Sequence, residues 1–146
     1  MWDVSGKSNT ARTALAQAIL RVNKETMLAI RAGTVPKGDP IPVAKVAAVQ
    51  AAKNTPGIIP YCHPLPLTHV GVEFELGDDM IQITVETKTD YKTGVEMEAL
   101  TAVSAAALTL YDMLKQIDMG MCIESVQLLK KTGGKSDFHA EGGAGH

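Results

Sequence analysis

TARTALAQAILRV, running from Thr10 to Val22, supports two incompatible structures, and the rest of the architecture depends on which one forms. Its Ala, Leu and Ile content favours a helix, which by propensity alone would continue over residues 10–33 to Gly33. Yet Leu15, Gln17, Ile19 and Arg21 alternate with Ala14, Ala16, Ala18, Leu20 and Val22, which is the period of a strand. In that second reading Asn23 becomes the N-cap of a short helix carrying Met27 and Ile30 at helical spacing. If residues 11–22 are a strand, the element order is β-α-α-β-β-α-β. That order is an α+β fold close to a ferredoxin-like split β-α-β with one added helix, its antiparallel sheet packed on helices.

The remaining elements read more directly. PKGDPIP around Lys37 is expected to be a loop, and Val43 to Lys53 a short amphipathic helix stopped by Thr55-Pro56-Gly57. The proline-laced IIPYCHPLPL is an ordered loop or an edge, because proline cannot donate to a central ladder. HVGVEFEL from His69 and MIQITVETK from Met80 alternate cleanly and form a hairpin around Gly77-Asp78-Asp79. Thr93 to Lys115 is a long helix, and Cys122 to Lys131 a strand closed by Thr132-Gly133-Gly134. The tail, about residues 137–146, is expected to be flexible.

With 146 residues the chain is expected to form one domain, 1–146. A net charge of −2 and a total of one Trp, three Tyr and two Phe argue against nucleic-acid binding, which selects for a basic face or a stacking platform. Cys62 and Cys122 form no CxxC, the N-terminus opens no apolar segment, and no apolar run approaches a bilayer span. A cytoplasmic protein without a membrane partner is expected.

The long helix carries an unusual seam. Glu98, Thr101, Ser104, Thr109, Asp112 and Lys115 fall within one arc, interrupted only by Leu108, while Val103, Ala107, Leu110 and Leu114 lie opposite. Glu98 and Lys115 are 17 residues apart, so they stand roughly 25 Å from each other and cannot serve one small substrate within one chain. Asp112 and Lys115 are i, i+3 neighbours, readable as a surface ion pair or as an acid–base couple. At the other end Glu96 and Glu98 flank Met97; a capping box from Thr93 to Glu96 would explain Glu96 and leave Glu98 without a role. His63, held between prolines, and His69 have no third ligand at metal-site spacing, so no metal is expected. Lys130-Lys131-Thr132-Gly133-Gly134-Lys135-Ser136 lacks the first glycine of a P-loop, but its flexible backbone beside lysines can cradle an anion, as can Lys37-Gly38. From these residues alone, an enzyme and a phosphometabolite-binding module both remain open.

KGDPIPVAKVAAVQAAKNTPGIIPYCHPL, TGVEMEALTAVSAAALTLYDMLK and LLKKTGGKS together resemble the molybdenum-cofactor biosynthesis protein C (MoaC) family, the cyclic pyranopterin monophosphate synthases. The resemblance runs from Asp3 to Ser136. It implies that residues 12–22 form a strand, in a ferredoxin-like subunit of a hexamer built as a trimer of dimers with active sites at the dimer interface. It implies a lyase that converts 3′,8-cyclo-7,8-dihydro-GTP, supplied by an upstream radical enzyme, to cyclic pyranopterin monophosphate with release of pyrophosphate. No cofactor is implied, and Mg²⁺ on the phosphates is compatible. Position by position, Lys37 and Lys115 match the catalytic lysines and Asp112 the acid beside the second. His63, Glu96, Met97 and Glu98 match pocket residues; Arg12, Lys131 and Lys135 match the groups that hold the triphosphate. A catalytic lysine of this kind would have its pKa pushed down toward neutrality by burial and other lysines. The sequence departs from the pattern in three places: it starts at MWDVS without the short leader of many members, Tyr61 replaces an aliphatic residue, and Asp137 follows GGKS where a glycine is usual.

Overall fold

In the computed structural model, which describes residues 1–141, Thr10–Arg21 is a strand, β1. Its ladder explains why propensity loses. β1 pairs along its length with β3 (Met80–Tyr91) on one side and with β4 (Cys122–Thr132) on the other, both antiparallel. A residue held in two ladders gains more than the fraction of a kcal/mol by which alanine prefers a helix. Even positions Ala14, Ala16, Ala18 and Leu20 are buried, and Leu15, Ile19 and Arg21 on the opposite face are partly exposed.

The hairpin partner β2 (Leu67–Leu76) pairs with β3, and the sheet order is β2-β3-β1-β4-β5. The central strands β3 and β1 and the flanking β2 and β4 are the arrangement expected of the split β-α-β fold. Its inner face meets α2 (Pro40–Lys53) and α3 (Glu96–Leu114). Small side chains set this packing. Ala44, Ala48 and Ala52 of α2, and Ala99, Ala102 and Ala106 of α3, are buried together with the β1 alanines and with Ile81, Ile83 and Val85 of β3. Alanines on both layers allow helix and strand backbones to approach closely, as dense packing requires.

Several boundaries moved. α2 begins at Pro40, inside the expected loop, because Asp39 caps it by accepting from Ile41 N at 3.1 Å and proline suits the first turn. α1 (Lys24–Ala32) is capped as expected: Asn23 accepts from Thr26 N at 2.8 Å, and Gly33 closes the helix at φ 72°. α3 begins at Glu96, with Val95 as N-cap and no side-chain cap, so Thr93 does not form a capping box. The expected flexible tail is corrected in part. Phe138–His139 form a short strand, β5, on Lys130 and Lys131, and Ala140 N donates to Leu129 O at 2.8 Å. The rest of that tail, residues 142–146, lies outside the described residues.

The membrane expectation also needs one refinement. α3 is long and apolar enough to cross a bilayer by composition. Eight of its residues are instead buried within the folded chain, seven of them in the apolar core, as for the central helix of a globular domain.

Candidate active site

The alternation that buries the β1 alanines also aims Arg12. Two residues before Ala14 on the inward face, it reaches the open end of the core beside the first turn of α3 and is only 7% exposed. Its Nε donates to Tyr91 O at 3.0 Å and its Nη2 to Lys92 O at 3.2 Å. Among the described residues it has no carboxylate partner. A buried guanidinium that meets only carbonyls is fixed in direction with its charge uncompensated, which suits an incoming anion.

Lys131 is cross-strand from Ala14 and so joins Arg12 on the inner face. Its Nζ stands 3.6 Å from Glu96 Oε1, both side chains half-buried. The chain then turns at Gly133, which has φ 94° and sits so close to β1 that a Cβ there would collide with Ala11 O. Only glycine fits both constraints. Thr10 Oγ1 donates to Gly133 O at 3.0 Å, fastening the loop over Arg12. The result is a cavity of about 430 Å³ lined by Arg12, Lys131, Gly134, Lys135, Glu96 and Lys7. Cations outnumber carboxylates there despite the acidic total, and the glycines expose backbone to a ligand.

Glu98 is 1% exposed, so the wet seam expected on α3 does not include it. Cys62 Sγ donates to Glu98 Oε2 at 3.6 Å, while Glu98 Oε1 and Glu96 Oε2 are buried without a partner. Burial pushes the Glu98 carboxyl above the ordinary carboxylate range, and burial beside Glu98 pushes the Cys62 thiol up to about 11. Cys62 is therefore a protonated donor at neutral pH, not a thiolate nucleophile. Met97 lies half-buried on the same first turn. His63 Nε2 is 2.6 Å from Trp2 O; since a carbonyl only accepts, Nε2 carries the hydrogen. His69 lies in β2 with Glu86 at 3.4 Å, and no group of three or more metal-ligating side chains occurs among the described residues.

The second constellation is at the other end of α3. Asp112 Oδ1 is 2.9 Å from Lys115 Nζ and its Oδ2 is 3.6 Å from Lys37 Nζ. Lys37 also donates to Asp112 O at 3.0 Å, tying the loop after α1 to the helix. The three expected catalytic residues are thus together. The expected depression of the lysine pKa is corrected: the hydrogen bond that Lys115 donates to Asp112 holds Lys115 above its ordinary value and Asp112 below its own. Both groups are exposed in this chain, so the desolvation that opposes the pairing is outweighed by the hydrogen bond and the charge attraction.

The structure therefore gathers the expected residues into two half-sites separated by the length of α3, about 25 Å by helical rise. Sequence reasoning passed over Lys7, Trp2 and Cys62. Cys62 was weighed only for a CxxC with Cys122, and nothing in its local pattern signals the approach to Glu98, 36 residues away.

Comparison with known proteins gives this arrangement a context. The model of the MoaC family matches residues 1–134. A protein of Peptoclostridium acidaminophilum named cyclic pyranopterin monophosphate synthase is 51% identical over 142 residues, covering 97% of this chain and 90% of its own length. Proteins of the same name from Listeria welshimeri and Corynebacterium efficiens are 52% and 50% identical, covering 97% and 93% of this chain and 89% and 88% of their own. A family model matched over residues 1–134 and relatives about half identical over nearly the whole chain show that the chain belongs to the MoaC family.

Proposed function

We propose that this protein is a cyclic pyranopterin monophosphate synthase, a lyase of molybdenum-cofactor biosynthesis that converts 3′,8-cyclo-7,8-dihydro-GTP to cyclic pyranopterin monophosphate and pyrophosphate. The observation that carries the reading is the buried Arg12, held by two carbonyls and roofed by Gly133 beside Lys131. Arg12, Lys131 and Lys135 hold the triphosphate. Their charge stabilises the departing pyrophosphate, each charge-assisted hydrogen bond contributing about 1.5–3 kcal/mol. His63, Glu96, Met97 and Glu98 contact the ring system.

Opening and reclosing the ring requires protons to be delivered to and removed from ring nitrogen and sugar oxygen. Lys115, kept protonated by Asp112, supplies a proton in that sequence, and Lys37 is the second lysine on the same carboxylate. No cofactor enters the scheme; Mg²⁺ is accommodated as a counterion to the phosphates. Because α3 separates the halves, we propose a homo-oligomer, a hexamer built from dimers, in which Lys37, Asp112 and Lys115 of one subunit complete the Arg12 cradle of another. A cytoplasmic setting follows from a phosphorylated, diffusible substrate.

The experiment is to incubate purified protein with the cyclised GTP derivative and measure pyrophosphate and pterin product. Lys115→Ala and Lys37→Ala should each lose about 10²–10⁴-fold in kcat. Normal turnover by either variant would sink that residue's assignment. Tight nucleotide binding by the unmodified protein without any pyrophosphate release would make it a binding module instead.

A further inference from the structure

We infer that Trp2 and Tyr61 form an aromatic clamp that stacks on the planar ring of a purine-type nucleotide whose phosphates occupy the Arg12 cradle; the nature of the ring rests on the synthase reading. The chain has one Trp, three Tyr and two Phe. Trp2 and Tyr61 are nonetheless 89% and 77% exposed. Burying either would be favourable, so two such exposed rings lining one cavity call for a ligand.

They share a cavity of about 530 Å³ with His63, Lys7 and Thr93. Trp2, Lys7 and Thr93 also line the cationic cavity that contains Arg12 and Lys131. The two cavities are thus contiguous, with aromatic walls at one end, phosphate-binding cations at the other and Lys7 at the junction. A nucleotide has this same division, a π face at one end and a polyanion at the other.

Trp2 is also held in place. Asp3 accepts from Ser5 N at 2.9 Å and from Ser5 Oγ at 2.6 Å, and Lys7 N donates to Val4 O at 3.0 Å. This turn folds the N-terminal segment back, and the His63 Nε2 hydrogen bond to Trp2 O at 2.6 Å pins it to the loop that carries Tyr61. The clamp is therefore assembled from two chain segments joined by His63.

Because Trp2 is the sole tryptophan, the intact protein's indole emission reports on this residue alone. Titration with GTP should quench the emission saturably, whereas inorganic tripolyphosphate should compete with GTP and leave the emission unchanged. With the cyclised substrate, Trp2→Ala and Tyr61→Ala should each raise KM about tenfold while kcat changes much less, and Trp2→Phe should restore KM. Circular dichroism of the alanine variants should match the unmodified protein, since neither ring is in the core. GTP binding by calorimetry with no change in emission, together with unchanged KM in both alanine variants, overturns the clamp and leaves the synthase reading intact. Saturable quenching by GTP in a protein that does not turn over the cyclised substrate sinks the synthase reading and supports the clamp.

Discussion

Lys115 Nζ lies 2.9 Å from Oδ1 of Asp112, one helical turn back, and each group stabilises the other's charged form. The two directions agree, as they must for a favourable pair. Asp112, with its folded pKa lowered, contributes stability above the unfolded value of about 3.9 and loses it as pH falls through the folded value. Lys115, with its folded pKa raised, contributes stability below about 10.4 and loses it as pH rises through the folded value. Removing the acid should therefore release the lysine's proton at lower pH. Asp112→Asn is expected to move the alkaline limb of the kcat/KM profile toward acid, and Asp112→Glu to leave it nearer its original position. An alkaline limb that does not move in Asp112→Asn would show that Lys115 is not the titrating acid.

At Gly133 an added methyl group would meet both a backbone at φ 94° and the Ala11 carbonyl. Neither conflict can relax by a side-chain rotation. Gly133→Ala should lose about 2 kcal/mol or more by chemical denaturation and weaken tripolyphosphate binding, because the loop must lift from Arg12. Gly134 provides the control: its Cβ would lie 3.4 Å from Arg12 Nη1 and 3.6 Å from Lys131 Cε. Gly134→Ala should keep its stability within about 1 kcal/mol and affect anion binding alone. Equal stability losses at the two glycines would contradict the close approach.

Much of this was legible in the sequence, and the parts that were not have a common physical origin. The cap at Asn23, the hairpin at Gly77 and the Asp112–Lys115 pair rest on neighbours within four residues, where spacing alone fixes geometry. β1 was ambiguous because alanine's local preference opposes a ladder supplied by strands some 60 to 120 residues later. The burial of Glu98 was hidden for the same reason. Its place on the polar arc of α3 was read correctly, but the loop containing Cys62 covers that part of the arc. Likewise, Thr93 and Glu96 have capping-box spacing, yet Glu96 turns to Lys131 on β4.

That burial gives the third prediction. Glu98 has a raised folded pKa, so the folded state binds more protons than the unfolded chain through that interval and stability declines as pH rises across it. Glu98→Gln removes the buried charge while keeping the shape. The variant should gain nothing below the unfolded carboxylate pKa of about 4.3, where both carry a neutral group, and should become the more stable protein as pH rises through the raised folded value. Denaturation midpoints across this range check it, and a stability difference independent of pH would refute it. The proposed ring contact of Glu98 further predicts that turnover falls in the same variant, because an amide cannot replace a carboxylate.

The final prediction tests whether the two half-sites meet between subunits. Leu108, the apolar interruption in the polar arc of α3, is 60% exposed, and Val43 and Val46 of α2 are 45% and 57% exposed on a cavity that also includes Thr109 of α3. A two-fold axis through the middle of this face would set two α3 helices antiparallel and bring the Lys115 end of each toward the Arg12 end of its partner. Leu108→Asp should leave monomer stability within about 0.5 kcal/mol, since the residue is exposed, while light scattering records a smaller particle and turnover is lost. Complementation is the more demanding measurement. Lys115→Ala and Arg12→Ala proteins should each be inactive alone, and a dissociated and reassociated equimolar mixture should recover about one quarter of normal activity, because half the dimers are mixed and each has one intact site of two. If both half-sites instead acted within a single chain, mixing would recover nothing, and the 25 Å separation along α3 would have to be bridged by a rearrangement of the subunit.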